Sequence, residues 1–488
     1  MKNTFDSYRA VLRHVGHITM ATGILMATPL LLVPFDPASG RWLLPFLGPS
    51  LGALGLGFAL SRIPPGQARR LSVGQDAVIV SLVWTLAVLL SALPFYLGGL
   101  LDFTGSVFES VSGWSTTGLT VLDVEETPRI YLLFRSMLQF YGGVGLVLIL
   151  VSALSETFGL NLYSAEGHPD RLLPNLLASS RLILTIYLGY MAAGTLLFRV
   201  LGMDTFDALN HSMTSLSTGG FTTRAASLGH FNSLPLELAC ILLMVLGATA
   251  FPAHLLLLTG RVRTFLQLGE TRLFLFLLAL SVPAMGFAAL KDAYAGTGPW
   301  VRAALFQTVS ALTTTGFSTV DLTRWHPFPI FVIILLMVVG GGAGSTAGGI
   351  KLFRVHLLLM SLLWTLKGRF SPPHGVVQHK VRRPEGPVPA DAPLVEHAGA
   401  YALCYLLLLA GGTGVLLAYG YPLQEALFEY ASALGTVGLS LGVTAPGAPA
   451  PVLWAETLGM LFGRLEIFVF FIAALRLTKD VRAWNKRE

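Results

Sequence analysis

The sequence predicts an all-α polytopic membrane protein: four M1-P-M2 repeats, each a helix, a half-helix with a returning loop, and a second helix, in pseudo-fourfold arrangement behind an N-terminal two-helix leader. Three observations carry this. Hydrophobic residues make up 53% of the 488 and charged residues only 12%, with a mean hydropathy of +0.68, a balance that excludes a string of soluble domains. Apolar runs of about 20 residues recur, the length a helix needs to cross a hydrocarbon core roughly 30 Å thick. Finally, Thr116-Thr117-Gly118-Leu119-Thr120 returns as Thr218-Gly219-Gly220-Phe221-Thr222, Thr314-Thr315-Gly316-Phe317-Ser318 and Thr436-Val437-Gly438-Leu439-Ser440, at intervals of roughly 100 residues, the mark of internal duplication.

The leader comes first, with spans near His17 to Phe35 and Trp42 to Ser61. Lys2, Arg9 and Arg13 precede the first run and no small-residue cleavage site follows it, so the run is expected to stay as a span. Four pairs follow: Val73 to Tyr96 with Ile130 to Val151, Arg181 to Phe198 with Leu236 to Thr259, Leu273 to Leu290 with Phe328 to Leu366, and Gly399 to Tyr419 with Val452 to Leu475. The expected divisions are residues 1–70 for the leader and 71–170, 171–265, 266–390 and 391–488 for the four repeats. An even number of spans puts both termini on one side. About 23 of the 32 Lys and Arg fall on that side, which makes it cytoplasmic. The net charge of +6 therefore reflects topology, and no nucleic-acid partner is implied. Cys240 and Cys404 lie inside apolar runs and read as small hydrophobes.

Between the paired spans lie stretches too short to cross: Phe103 to Ser115, Phe206 to Ser217, Trp300 to Thr313 and Leu423 to Gly435. About twelve residues at 1.5 Å each reach roughly 18 Å, so each half-helix enters and stops near midplane. The chain must return without helical hydrogen bonds, which at that depth requires burial in protein or a watery path. The Thr/Gly segments are that return. Glycine accepts positive φ and turns its carbonyl without a Cβ clash, and the hydroxyls add oxygen ligands. Four such loops around one axis, with four helix C-termini behind them, form a cage for a dehydrated monovalent cation. The expected ligands are Thr116, Thr117, Gly118, Thr218, Gly219, Gly220, Thr314, Thr315, Gly316, Thr436, Val437 and Gly438. Asp102, Asp123, Glu125, Glu126, Asp204, Asp207, Asp292, Asp321 and Glu425 would give the outer mouth an acidic character.

The second span of repeat 3 is interrupted by Gly340-Gly341-Gly342-Ala343-Gly344-Ser345-Thr346-Ala347-Gly348-Gly349, a run no spanning helix survives. It is expected to form an intramembrane gating loop beneath the cage. Its approach to a phosphate-binding loop fails: the lysine, Lys351, comes a residue late, no Ser or Thr follows it, and no soluble strand precedes it. Small-residue packing accounts for Gly142-Gly143-Val144-Gly145 and Gly52 to Gly57. Arg464 stands inside the last span with Glu466 close by, and an intramembrane arginine needs an interior partner. It is expected just below the cage, holding the glycine loop, with an Arg464 to Glu466 pair or a helix-end anchor as the simpler alternative. Lys351 reads as an interface anchor. His211 falls in the column of Glu109, Gln307 and Glu429 and reads as a polar contact behind the loop, while His374 and His379 fall in a Pro-, Gly- and base-rich cytoplasmic segment from Lys367 to Pro393 that reads as linker or partner contact.

On these residues the chain resembles the Trk/Ktr/HKT superfamily of potassium transporters, most closely its bacterial TrkH branch. The likeness covers nearly the whole chain. It rests on the four loops, on the glycine run through Ile350 and Lys351, on Met460-Leu461-Phe462-Gly463-Arg464-Leu465-Glu466, and on the leader pair. The resemblance implies potassium as the transported ion, a filter glycine in each repeat (Gly118, Gly220, Gly316, Gly438), a gate made by the repeat 3 loop with Arg464, a homodimer, and cytosolic TrkA-like nucleotide-binding rings as partners. The nucleotide would belong to the rings, since this chain has no soluble dinucleotide fold and no organic cofactor is expected on it. It also implies a multi-pass protein of the bacterial inner (plasma) membrane. Where relatives carry serine for the first filter glycine sodium is favoured; Gly118 matches the potassium form. Gly219 departs from the bulkier middle residues of the other loops and predicts a thinner wall in repeat 2. A sodium-permeable or ion-coupled symporter of the same fold stays open. A carrier for an organic anion would point helix N-termini, not C-termini, at midplane. A membrane enzyme would need a cluster of acids or His at midplane, and the spans offer only Arg464 and Glu466.

Overall fold

The computed structural model describes residues 2–64, 73–145, 176–287, 294, 296–370, 379–384 and 386–485. The expected boundaries at residues 70/71 and 170/171, the span ends at Val151 and Leu290, and Asp292 and His374 lie outside the described residues.

Two helices, α1 (Lys2–Ala27) and α2 (Leu43–Ser61), form a hairpin. Pro29 and Pro37 end and restart the helix as 3-10 turns, because proline lacks the amide a continuing helix needs. The hairpin closes on glycine: a Cβ built on Gly16 would lie 2.7 Å from Gly57 O. Gly52 and Gly55 have nothing within 4 Å, so the expected packing role in that stretch falls to Gly57.

Each later unit follows one order. A long helix, α3 (Val73–Leu97), α6 (Leu176–Val200), α11 (Gly269–Met285) or α15 (Ala392–Ala418), leads to a short one, α4 (Phe103–Trp114), α7 (Thr205–Leu216), α12 (Thr297–Leu312) or α16 (Leu423–Leu434). A loop and a second helix then follow: α5 (Arg129–Val144), α8 (Leu234–Gly247) with α9 (Phe251–Leu258), α13 (Pro327–Val339) with α14 (Leu352–Gly368), and α17 (Ala450–Arg464) with α18 (Phe468–Asn485). A four-residue helix, α10 (Val262–Phe265), joins α9 to α11. Two of the short helices start on caps that bind their free amides: at α4 Asp102 accepts from Gly105 N at 2.8 Å, and at α7 Asp204 accepts from Phe206 N at 3.1 Å. Phe108, Phe306 and Phe428, eight residues before their motif threonines, are fully buried. Protein therefore surrounds the half-helices on the sides where lipid could not satisfy the loops they lead to.

The long apolar helices Tyr8–Leu32, Pro37–Ser61, Gly74–Leu97, Ser179–Val200 and Ala392–Ala418 are of spanning length and composition. The second helices differ from expectation. Leu236 to Thr259 and Val452 to Leu475, read as continuous spans, are each broken, by 115° between α8 and α9 and by 98° between α17 and α18. Both breaks have local causes. Pro252 sits at the start of α9, and Glu466 and Ile467 take positive φ of 50° and 33° at the second corner. The region beyond α14 also holds structure: β1 (Lys380–Arg383) pairs antiparallel with β2 (Gly386–Pro389), and His379 stacks on Trp364 at 4.3 Å.

Candidate functional site

The four loops meet in a closed ring. A Cβ built on Gly118 would lie 2.2 Å from Gly219 O, one on Gly220 2.0 Å from Thr315 O, one on Gly316 1.9 Å from Val437 O, and one on Gly438 2.2 Å from Thr117 O. Each motif glycine is thus pressed against the middle-residue carbonyl of the next repeat, and the fourth closes on the first. The backbone explains why these residues are required. Thr116, Thr218, Thr314 and Thr436 have φ between 49° and 56°, the middle residues are not in the positive region, and Gly118, Gly220, Gly316 and Gly438 return to φ of 99°, 71°, 85° and 93°. Alternating hand turns successive peptide dipoles to one side. In every loop the threonine, the middle residue and the following apolar residue are buried, while the glycine and the residue two later are partly exposed. Solvent therefore reaches the ring at the same two positions in each repeat.

Behind the ring the loops are tied to their half-helices. The middle-residue amide donates to the carbonyl five residues back in each case: Thr117 to Ser112, Gly219 to Thr214, Thr315 to Ser310 and Val437 to Ser432, at 2.8–3.0 Å. Ser112 and Ser310 donate to Leu119 O and Phe317 O at 2.6 and 2.7 Å. Glu109 accepts from Thr120 Oγ1 and from Val121 N at 2.7 Å, and pairs with buried Arg135 at 3.1 Å. Glu429 accepts from Ser440 Oγ at 2.6 Å and from the Leu441 and Thr444 amides at 3.0 Å, while Thr444 Oγ1 donates to buried Glu456 at 3.0 Å. Gln307 donates to Ser318 Oγ at 3.0 Å. His211, in the same column, instead has Nδ1 at 2.8 Å from Asp207 O and its ring stacked on Phe317. In repeat 2 Asp207 holds the outgoing loop, through Thr223 at 2.7 Å and Arg224 at 2.9 Å.

The acids expected at the mouth thus divide. Asp123, Glu125 and Glu126 are exposed, as are Asp102 and Asp204, which also cap helices, whereas Asp207 is buried in an ion pair. On the exposed Asp321, bonds from the Thr323 hydroxyl and amide and the charge of Arg324 hold the carboxyl below its usual range.

Gly340 to Lys351 runs directly beneath the ring, and only Ala343 of the glycine run is more than slightly exposed. It touches three of the four motif threonines. Thr346 Oγ1 lies 3.0 Å from Thr218 Oγ1 and donates to Gly247 O at 2.9 Å; Gly348 N donates to Thr314 Oγ1 at 2.8 Å; and a Cβ on Gly348 would lie 2.2 Å from Thr436 Oγ1. Glycine is needed because the loop meets backbone: Gly340, at φ 74°, has Gly348 O where its Cβ would be. Ala343 N donates to Glu270 at 3.0 Å, and Gly344 O accepts from Phe251 N at 3.0 Å. Arg464 donates to Thr346 O at 2.7 Å and to Gly142 O and Gly143 O, bridging the loop to α5. Glu466 goes elsewhere, to Arg354 at 2.5 Å and Lys351 at 3.5 Å. Lys351, expected as an interface anchor, is buried, with a positive φ of 78° and its ammonium paired with Glu466.

Gly142, expected to pack through its small size, is a crossing point where a Cβ would come 2.0 Å from Trp114 O. Several residues that escaped the sequence reading join it: Gly247 and Gly463 would bring a Cβ to 2.2 and 2.0 Å from Leu216 O and Leu434 O, all three carbonyls being the last helical ones of the half-helices. Their signal was present as a glycine about 30 residues after each half-helix end. Arg135 and Glu456, buried ionisable residues in α5 and α17, were also overlooked among the spans. Gln139 is a further case: its Nε2 donates to Gly219 O at 2.5 Å and its Oε1 accepts from Phe221 N at 3.0 Å. The thin wall expected of repeat 2 is filled by that carboxamide, since a Cβ on Gly219 would lie 2.3 Å from Gln139 Cδ.

Comparison with known proteins agrees with this architecture. The family model TrkH, described as a cation transport protein, matches residues 66–485. The chain is 31% identical over 483 residues to the Trk system potassium uptake protein TrkH of Halomonas elongata, covering 96% of this chain and 98% of that one. It is 30% identical over 488 residues to an uncharacterised cation transporter of Methanocaldococcus jannaschii, covering 99% of both. The crystal structure of the potassium transporter TrkH from Vibrio parahaemolyticus superposes with a TM-score of 0.82 at 29% identity, over 95% of this chain and 98% of that one. A match over most of the chain, on a fold whose loops close into a ring, leads to one conclusion: the chain belongs to the TrkH family of cation transport proteins and is a multi-pass membrane transporter, not an enzyme.

Proposed function

We propose that the chain carries potassium inward across the plasma membrane through the ring formed by Gly118, Gly220, Gly316 and Gly438. The observation that carries this reading is the closed cycle of glycine-to-carbonyl contacts, which concentrates backbone oxygens from four loops at one axis. Carbonyls there replace the hydration of a monovalent cation. The C-termini of α4, α7, α12 and α16 add negative potential on the same side as the motif threonines. Curated relatives named for potassium uptake support the choice of ion. Gly340 to Gly349 acts as the gate: it underlies the ring, and Arg464 locks it to α5 while placing a fixed positive charge in the ion's way. Both termini are cytoplasmic in this reading, and the protein works as a homodimer with nucleotide-binding TrkA-like rings on that face.

Growth rescue tests the proposal. Expression in a bacterium lacking its own potassium uptake systems restores growth at low potassium, and sodium does not compete in proportion to its concentration. Rescue that fails while the protein reaches the membrane, or sodium uptake equal to that of potassium, overturns it.

A further inference from the structure

The four second helices share one pattern that a single repeat breaks. Three residues before Gly247, Gly340 and Gly463 stand Met244, Met337 and Met460, all fully buried; three residues before Gly142 stands Gln139, equally buried. A carboxamide where the other repeats keep a thioether needs a hydrogen-bonding reason. The adjoining loop supplies it. Helix α5 packs on α7, whose loop alone has glycine as the middle residue. In repeats 1 and 3 the middle threonine is held by a hydroxyl two residues before it, Ser115 to Thr117 at 2.7 Å and Thr313 to Thr315 at 2.8 Å, and in repeat 4 Val437 is packed in the core. Gly219 has no side chain to hold. Gln139 reaches across from repeat 1 and fixes both sides of the loop, donating to Gly219 O at 2.5 Å and accepting from Phe221 N at 3.0 Å. The reverse amide orientation would oppose oxygen to oxygen and N–H to N–H, so the polarity is determined.

Gly219 O is also the ring oxygen pressed against Gly118. We infer that Gln139 is a specificity-determining positioning residue: it sets the place of one ring carbonyl from outside the filter, and Gly219 and Gln139 form a matched pair. This rests on the reading of the Thr/Gly ring as a potassium filter and deepens it. The donor on Gly219 O both holds that oxygen still and draws off part of its negative charge, making the repeat 2 ligand unlike the other three.

The test is Gln139→Met, which gives repeat 1 the residue of the other repeats and keeps the volume while removing the donor. Potassium and sodium fluxes into proteoliposomes are measured together with the melting temperature. The potassium-to-sodium ratio falls about fivefold, the effect of losing the one ordinary hydrogen bond that reaches the ring carbonyl; the melting temperature also falls, because the Phe221 amide loses its acceptor, and the ratio is the readout that a merely structural role would not move. Gly219→Thr alone, which meets the Gln139 carboxamide, also loses the ratio, and Gly219→Thr with Gln139→Ala recovers it. A ratio unchanged in Q139M, or a double variant no better than G219T, overturns the inference. Should Q139M not assemble, the comparison of G219T with the double variant decides alone. If Gly316→Ser also leaves the ratio unchanged, the filter reading itself has failed, which separates the two.

Discussion

Replacing Gly118 with Ser tests the ring most directly, and the structure sets the size of the effect. Two costs arise. At φ 99° a side chain sits in the left-handed region, a strain of about 1–2 kcal/mol. Its Cβ would also stand 2.2 Å from Gly219 O, which must withdraw by about 0.8 Å to reach the 3.0 Å that real Cβ contacts respect. In the proposed filter, a carbonyl moved that far no longer meets the ion as its three counterparts do. Losing one charge-assisted contact costs about 1.5–3 kcal/mol, or about 10- to 100-fold in preference at 1.4 kcal/mol per tenfold. Gly202 separates the two costs. It has the same φ, 100°, with nothing within 4 Å of a built Cβ, so Gly202→Ala carries the strain and leaves the ring intact. In paired potassium and sodium flux measurements on proteoliposomes, G118S loses potassium preference by at least tenfold while G202A keeps it and loses only melting temperature. A folded G118S protein with the parental ion ratio would refute the argument, because the contact with Gly219 O could not then lie on the ion's path.

Three further outcomes follow from the same geometry. Arg464→Ala removes the bonds to Thr346 O, Gly142 O and Gly143 O and raises basal potassium leak about tenfold, the worth of the one bond to a charged group that reaches the loop, at Thr346 O; shortening the 340–349 run raises it too, and unchanged leak in both variants would leave the loop as packing. Glu109→Gln strands the fully buried Arg135, whose partner it is at 3.1 Å, and lowers stability by about 3–5 kcal/mol in thermal unfolding of the detergent-solubilised protein. Gly463→Ala forces a Cβ to 2.0 Å from Leu434 O, where only backbone can move, so the yield of folded protein in size-exclusion chromatography drops sharply, whereas Gly411→Ala, in open space, does not.

Much of this protein was legible in its residues taken in order. Composition and run length determine that the chain lives in a bilayer, because lipid offers the backbone no partner and only helices satisfy it alone. Recurrence of Thr-x-Gly at intervals of roughly 100 residues, three times at the same distance from a phenylalanine, determines that four like loops exist, and glycine between hydroxyls determines which backbone they adopt. These are local or periodic signals, carried within a few turns of chain. The tertiary structure decided the rest. Arg464 could have turned to Glu466, two residues on; it reaches Thr346 and Gly142 instead, across 118 and 322 residues of sequence, because the 98° corner after α17 carries Glu466 away toward Lys351 and Arg354. Gln139 reads as an ordinary polar residue in an apolar helix until the fold brings it against Gly219, 80 residues later. Buried polar side chains take whichever partner the packing delivers, since leaving a donor or acceptor unmet in a dry interior costs more than any local preference. That delivery depends on how four repeats close around an axis, which no single repeat encodes.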